Sequence, residues 1–186
     1  MHWLHDISRV LPVSRDPELR DVGEIDTVVL HCTAMPGWNV WETARYHTGP
    51  NHICDDGCPT IAYAYFVEPD GLLYRCLDGG IRGWHVGPWN DRSIGVCMAY
   101  EGAGAAPPGV QLEVAVEMCA ALALQYGLPA DRVRGHRELE GTGYVVEDGH
   151  EVPCKECPGL AVDMDEFRKR VASAMERPGG PEVSEA

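Results

Sequence analysis

The stretch IDTVVLH (25–31) is a run of β-branched and apolar residues that ends on His31. A run of this kind predicts a buried strand, and the histidine at its end stands where a strand hands over to a loop. The chain around it repeats the same alternation of strands and helices. Asn39 is placed to cap a helix through WETARYH, with Glu42 three residues on to complete a capping box. IAYAYFV (61–67), the turn EPDG and LLYRC (72–76) read as a hairpin, and RSIGVCMAY (92–100) as a further strand. VQLEVAVEMCAALALQYG (110–127) is the clearest helix, closed by Gly127 and Pro129, and DRVRGH (131–136) is short and strand-like. MDEFRKRVASAME (164–176) is an amphipathic closing helix. This order predicts an α/β fold: one domain with a central mixed β-sheet flanked by helices.

The flanks differ in character. Residues 1–24 are polar and carry Pro12 and Pro17, so they read as an N-terminal arm or a short leading helix ahead of a domain at 25–177. HTGPNHICDDGCPT (47–60) reads as loop and 137–157, with three glycines, as irregular. Residues 178–186 (PGGPEVSEA follows Arg177) read as a disordered tail.

With 186 residues and a net charge of −14, the chain can bury a core but is ill suited to nucleic acid, whose phosphates are bound by Lys and Arg. No stretch approaches the ~20 apolar residues of a membrane helix. The first dozen residues lack the basic and apolar regions of a secretory signal. No membrane partner is expected, and a monomer is. Of the eight cysteines, Cys32, Cys97 and Cys119 lie in apolar runs and read as buried. Cys54, Cys58, Cys76, Cys154 and Cys157 lie near turn residues, where they can pair or bind metal.

His31, His136 and Cys157 stand at strand ends or in loops, where metal ligands usually stand. A catalytic zinc needs three protein ligands and an open position for water, whose pKa it lowers to about 7. Residue type and spacing do not select these three from eight histidines and eight cysteines. A resemblance does. VVLHCTA (28–34), AYAYFVEPDG (62–71), GWHVGPWNDRSIGVC (83–97), GHRE (135–138) and KECPG (155–159) occur in the order of the blocks of the type 2 N-acetylmuramoyl-L-alanine amidases. That fold is shared by phage lysozyme-type amidases and peptidoglycan recognition proteins, and the resemblance runs over about residues 25–170.

The resemblance implies one catalytic zinc held by His31, His136 and Cys157, with Tyr63 and Lys155 as catalytic residues. Zinc-activated water would attack the lactyl carbonyl, Lys155 would steady the oxyanion, and Tyr63 would orient the water or relay a proton. Lys155 is one of only two lysines in the chain, a coincidence of about 1 in 100 by composition. The same resemblance implies that His85, Trp84 and Asn90 bind substrate from a loop lining the groove, and Asn90 with Ser93 resembles the family's turn into the next strand. The implied partner is peptidoglycan, cut between N-acetylmuramic acid and L-alanine. A phage endolysin, made in the host cytoplasm and released to the wall, fits this reading; a cytoplasmic wall-recycling enzyme is equally compatible.

The pattern departs from the family in three places. His136 and Cys157 lie further apart than the family sets them, so LEGTGYVVEDGHEVP (139–153) reads as an insertion that brings His150 and Cys154 close to the site. Ala64 stands where many members have a histidine, and CDDGC (54–58) is a loop insertion able to carry a small disulfide or to reach toward Cys154. Two alternatives remain open at this point. The chain can be a peptidoglycan-binding module without catalysis. It also formally fits the zinc deaminase signature H-x-E…P-C-x-x-C through His136, Glu138, Cys154 and Cys157.

Overall fold

The computed structural model of the chain describes residues 2–139, 144–147, 150–153, 156–181 and 183–185. The elements run β1 (His2–Asp6), β2 (Thr27–Cys32), α1 (Val40–Thr48), β3 (Tyr65–Val67), β4 (Leu73–Arg75), β5 (Ser93–Met98), α2 (Gly109–Gln125), β6 (Val133–Gly135), β7 (Tyr144–Glu147), β8 (His150–Pro153), α3 (Met164–Glu176) and β9 (Val183–Glu185). Seven strands form one sheet in the order β6-β2-β5-β3-β4-β1-β9. All neighbours are parallel except β3 and β4, the predicted hairpin, so the sheet is mixed as expected.

β2 lies between β5 and β6, and each of its six residues is buried. A parallel strand covered on both faces needs apolar side chains on both, which is why TVVLHC reads as a continuous rather than an alternating run. The two faces nevertheless differ. Val28, Leu30 and Cys32 join the main core together with Ile94, Val96 and Met98 of β5 and the apolar side of α2. Val29 belongs instead to a small second cluster with Val86 and Leu139. α2 is buried over most of its surface, as a helix covered on more than one side must be, and α3 packs against it. Gln111 ties α2 to the sheet by donating from Nε2 to the carbonyls of Val67 (2.9 Å) and Ala99 (3.1 Å).

The predicted capping box is present: Asn39 Oδ1 accepts from Trp41 and Glu42 N–H, and Glu42 accepts from Asn39 N–H. Three expectations are corrected. The N-terminal segment holds a strand, with a single 3-10 turn at Val22–Glu24: β1 pairs with β4 and is anchored by Leu4, its one buried residue. The C-terminal stretch adds β9 beyond β1 instead of trailing away. The insertion is a regular antiparallel hairpin in which β7 pairs with β8, Tyr144 facing Pro153 and Glu147 facing His150. Val145, Val146 and Val152 favour strand, and the Asp-Gly dipeptide between the two strands is the strongest short hairpin signal. Among the described residues, no helix is long and apolar enough to cross a membrane.

Candidate metal centre

His31 sits at the C-terminal end of β2 and points to the face opposite the main core, since side chains alternate along a strand. β6 pairs with β2 in parallel, and His136 follows its last residue, so the two histidines emerge side by side. Ligand sites of open α/β sheets lie at this edge, the carboxyl ends of the parallel strands. Nδ1 of His136 is 3.1 Å from Nδ1 of His31, and Cys157 Sγ is 3.6 Å from the same nitrogen. His31 is 1 % exposed and His136 5 %.

The loop carrying Cys157 is tied to β6 by Arg137. Its backbone N–H donates to Cys157 O (2.9 Å), while its guanidinium donates to the carbonyls of Glu156, Gly159 and Val162. Tyr100 OH adds a bond to Pro158 O. Gly159 takes a φ of +109° with the Tyr100 hydroxyl directly over its Cα, a place without room for a side chain. This explains the glycine at 159 physically.

The three donor atoms fit a metal ion. A tetrahedral ion with bonds of about 2.0–2.3 Å sets its nitrogen ligands about 3.3 Å apart and a sulfur and a nitrogen about 3.6 Å apart. The observed spacings of 3.1 and 3.6 Å match that pattern, and among the described residues this is the only His/Cys/Asp/Glu group so arranged. Burial pushes the Cys157 thiol well above its usual range, so a thiolate there calls for a positive charge beside it.

Tyr63 joins the cluster, its ring centroid 5.0 Å from that of His31. Burial raises its phenol well above the ordinary range, which keeps the proton on the oxygen. The backbone beneath it is held by His47, whose Nδ1 accepts from Ala62 N–H at 3.2 Å and whose ring meets the Tyr63 ring edge-on at 5.4 Å. His47 is buried, and burial lowers its pKa to about 4. Neither His47 nor Arg137 was singled out from the sequence. Both lie in quoted motifs, but their roles are contacts across the fold.

Of the loop residues expected to line the groove, His85 and Asn90 are buried and Trp84 is partly exposed. His85 is 7 % exposed, and its Nδ1 lies 2.9 Å from His31 Nε2. Asn90 is 4 % exposed, and its Oδ1 accepts from His85 and Val86 N–H, so it shapes the loop from inside. Trp84 is half-buried, with Arg82 and Arg15 guanidinium carbons 5.0 and 5.9 Å from the centre of its ring. Lys155 and Cys154 lie outside the described residues.

Cys54 and Cys58 are both free, their sulfurs 3.2 Å apart. Glu138, the proton shuttle of the deaminase alternative, has its carboxylate occupied by Gly135 N–H (2.8 Å) and by Arg168 (2.8 Å).

The family model for N-acetylmuramoyl-L-alanine amidase matches residues 21–160. The chain belongs to the N-acetylmuramoyl-L-alanine amidase family. Against peptidoglycan-recognition protein LB of Drosophila melanogaster, the family member is 27 % identical over 109 residues, 58 % of its own length and 41 % of that relative's. The fold matches the solved amidase LysC of Clostridium intestinale URNW with a TM-score of 0.72 at 14 % identity, covering 92 % of this chain and 98 % of the other. It matches the endolysin of the Thermus scotoductus MAT2119 bacteriophage Ph2119 with a TM-score of 0.62 at 20 % identity, covering 90 % and 98 %. The deaminase reading therefore gives way to the amidase family.

Proposed function

We propose that this chain is a zinc-dependent amidase that hydrolyses the bond between N-acetylmuramic acid and L-alanine in peptidoglycan, acting as an endolysin. The observation that carries the reading is the convergence of His31 Nδ1, His136 Nδ1 and Cys157 Sγ beside Tyr63 in a chain of this family. Two nitrogens and one thiolate in a tetrahedral arrangement suit zinc and leave a fourth position open. The solved relatives named as endolysins support the biological setting.

When bound, zinc supplies a positive charge that brings the pKa of water to about 7 and polarises the amide carbonyl. The chain's own residues supply the rest. His31, His136 and Cys157 fix the ion at the mouth of the sheet, and the Arg137 clamp holds Cys157 to β6. Tyr63, kept protonated by burial, donates a hydrogen bond to the attacking water or to the carbonyl oxygen as charge gathers there. Lys155, two residues before a ligand, adds a cation against the same charge. A neutral donor is needed at the leaving nitrogen, and Tyr63 is the described group best placed to relay that proton.

The test is zinc content together with the release of new L-alanine amino termini from purified peptidoglycan, for wild type and His31→Ala. One zinc per chain and wall cleavage, both lost in the variant, are expected. A wild-type chain that binds wall fragments without cutting them would instead make it a recognition module.

A further inference from the structure

We propose that His85 is a positioning residue that fixes the proton of His31 on Nε2, and so turns the Nδ1 lone pair of His31 toward His136 and Cys157. The inference rests on the zinc reading above. It follows from tracing one chain of hydrogen bonds inward from the backbone. Ser93 Oγ lies 2.7 Å from the carbonyl oxygen of Trp89, to which only the hydroxyl can donate. With its proton committed, that oxygen can only accept from the neighbouring His85 Nε2, 3.3 Å away. His85 then carries its proton on Nε2 and presents Nδ1 as an acceptor. That acceptor lies 2.9 Å from His31 Nε2, which must therefore be the donor. The remaining nitrogen of His31, Nδ1, then carries no proton and faces His136 Nδ1 and Cys157 Sγ. With His85 neutral, each link has one allowed direction, set by a carbonyl that cannot donate.

The surroundings hold His85 to this task. Its ring lies flat on β5 at Gly95, where a Cβ would come within 2.9 Å of Nδ1 and 3.2 Å of Cε1 and Cγ. The loop that carries it is fixed by Asn90, which takes the N–H groups of His85 and Val86. A groove residue would face solvent; this one is enclosed between a bare stretch of backbone and a ligand. Partners of this kind orient ligand histidines, and their loss costs about 10- to 100-fold in metal affinity. The glycine of SIGVC and the asparagine and serine of NDRS thus acquire a shared purpose: they seat one imidazole.

The experiment combines zinc affinity by chelator competition with imidazole 15N shifts of the zinc-loaded wild type. His85→Phe keeps a flat ring but no acceptor, and is expected to bind zinc about 10- to 100-fold more weakly. His85→Gln, whose carbonyl can take the His31 proton, is expected to recover most of that loss. The 15N spectrum is expected to show His31 and His85 both protonated on Nε2, a readout that needs no variant to fold. His85→Phe matching wild-type affinity, or His31 carrying its proton on Nδ1, would overturn the inference while leaving the zinc reading intact. A wild type that holds no zinc would bring down both.

Discussion

The two faces of β2 are one residue out of phase and wholly different in kind. Val28, Leu30 and Cys32 look into the main core, while Val29 and His31 look toward the loops. β5 repeats the contrast, with Ile94, Val96 and Met98 in the core and Ser93 and Gly95 beneath His85. The core face acts through area removed from water, which is additive and forgiving of shape. The site face acts through directed hydrogen bonds, where one misplaced proton or methyl group undoes a chain of contacts. The lesson is that substitutions on adjacent residues of one strand should damage different properties.

The sharpest way to break this comparison is Cys157→Ser, expected to lower zinc affinity by 10³-fold or more, roughly 4 kcal/mol, while leaving the melting temperature of the metal-free protein nearly unchanged. Cys154→Ser should leave zinc binding intact; the reverse pattern would move the ligand into the insertion. The converse substitution is Leu30→Ala on the core face. It should cost about 3–5 kcal/mol in denaturant unfolding with zinc affinity of the folded fraction preserved, because Leu30 is wholly enclosed and its neighbour His31 is not touched. Equal losses of affinity in both variants would mean the faces are not separable.

Lys155→Ala should keep zinc and lose turnover on the order of 10²-fold, near 3 kcal/mol, in a wall-cleavage assay. Unchanged turnover would remove Lys155 from the reaction. The smallest effect concerns His47. Its pKa is about 4 in the folded chain against 6.5 unfolded, so the unfolded state binds the proton first as pH falls. Stability is then full above pH 6.5, declines below it, and stops declining below about pH 4. Between pH 7.5 and 5 this amounts to about 2 kcal/mol. Unfolding of metal-free wild type and His47→Gln across that range should show a shallower pH dependence in the variant; parallel curves would mean His47 is protonated without cost.

The legible parts of the fold were those written in local pattern. α3 spans Met164–Glu176, the bounds its periodicity gives, and the Asn39–Glu42 box opens α1 as read. β1 escaped because it buries little, only Leu4 of HWLHD being enclosed, and β9 because it is a three-residue strand at the edge of the sheet. The hairpin β7–β8 escaped because the glycines around it argued for loop more loudly than Val145, Val146 and Val152 argued for strand. In the site, His31 and His136 are 105 positions apart and meet only because β6 pairs with β2. No spacing rule contains that fact, so family resemblance had to supply the ligand set. The role of His85 was invisible for the same reason: an exposed groove histidine and a buried histidine over a glycine look alike in GWHVGPWN.

The bond from Arg137 N–H to Cys157 O closes the base of the segment between His136 and Cys157, and β7 and β8 fall within that segment. A loop pinned at its root tolerates change in its middle, since doubling its length costs only about 0.6 kcal/mol of closure entropy. The hairpin is thus a natural grafting point. Evolution or an engineer can exchange its strand pair for a longer or differently charged one while His31, His136 and Cys157 keep their stations.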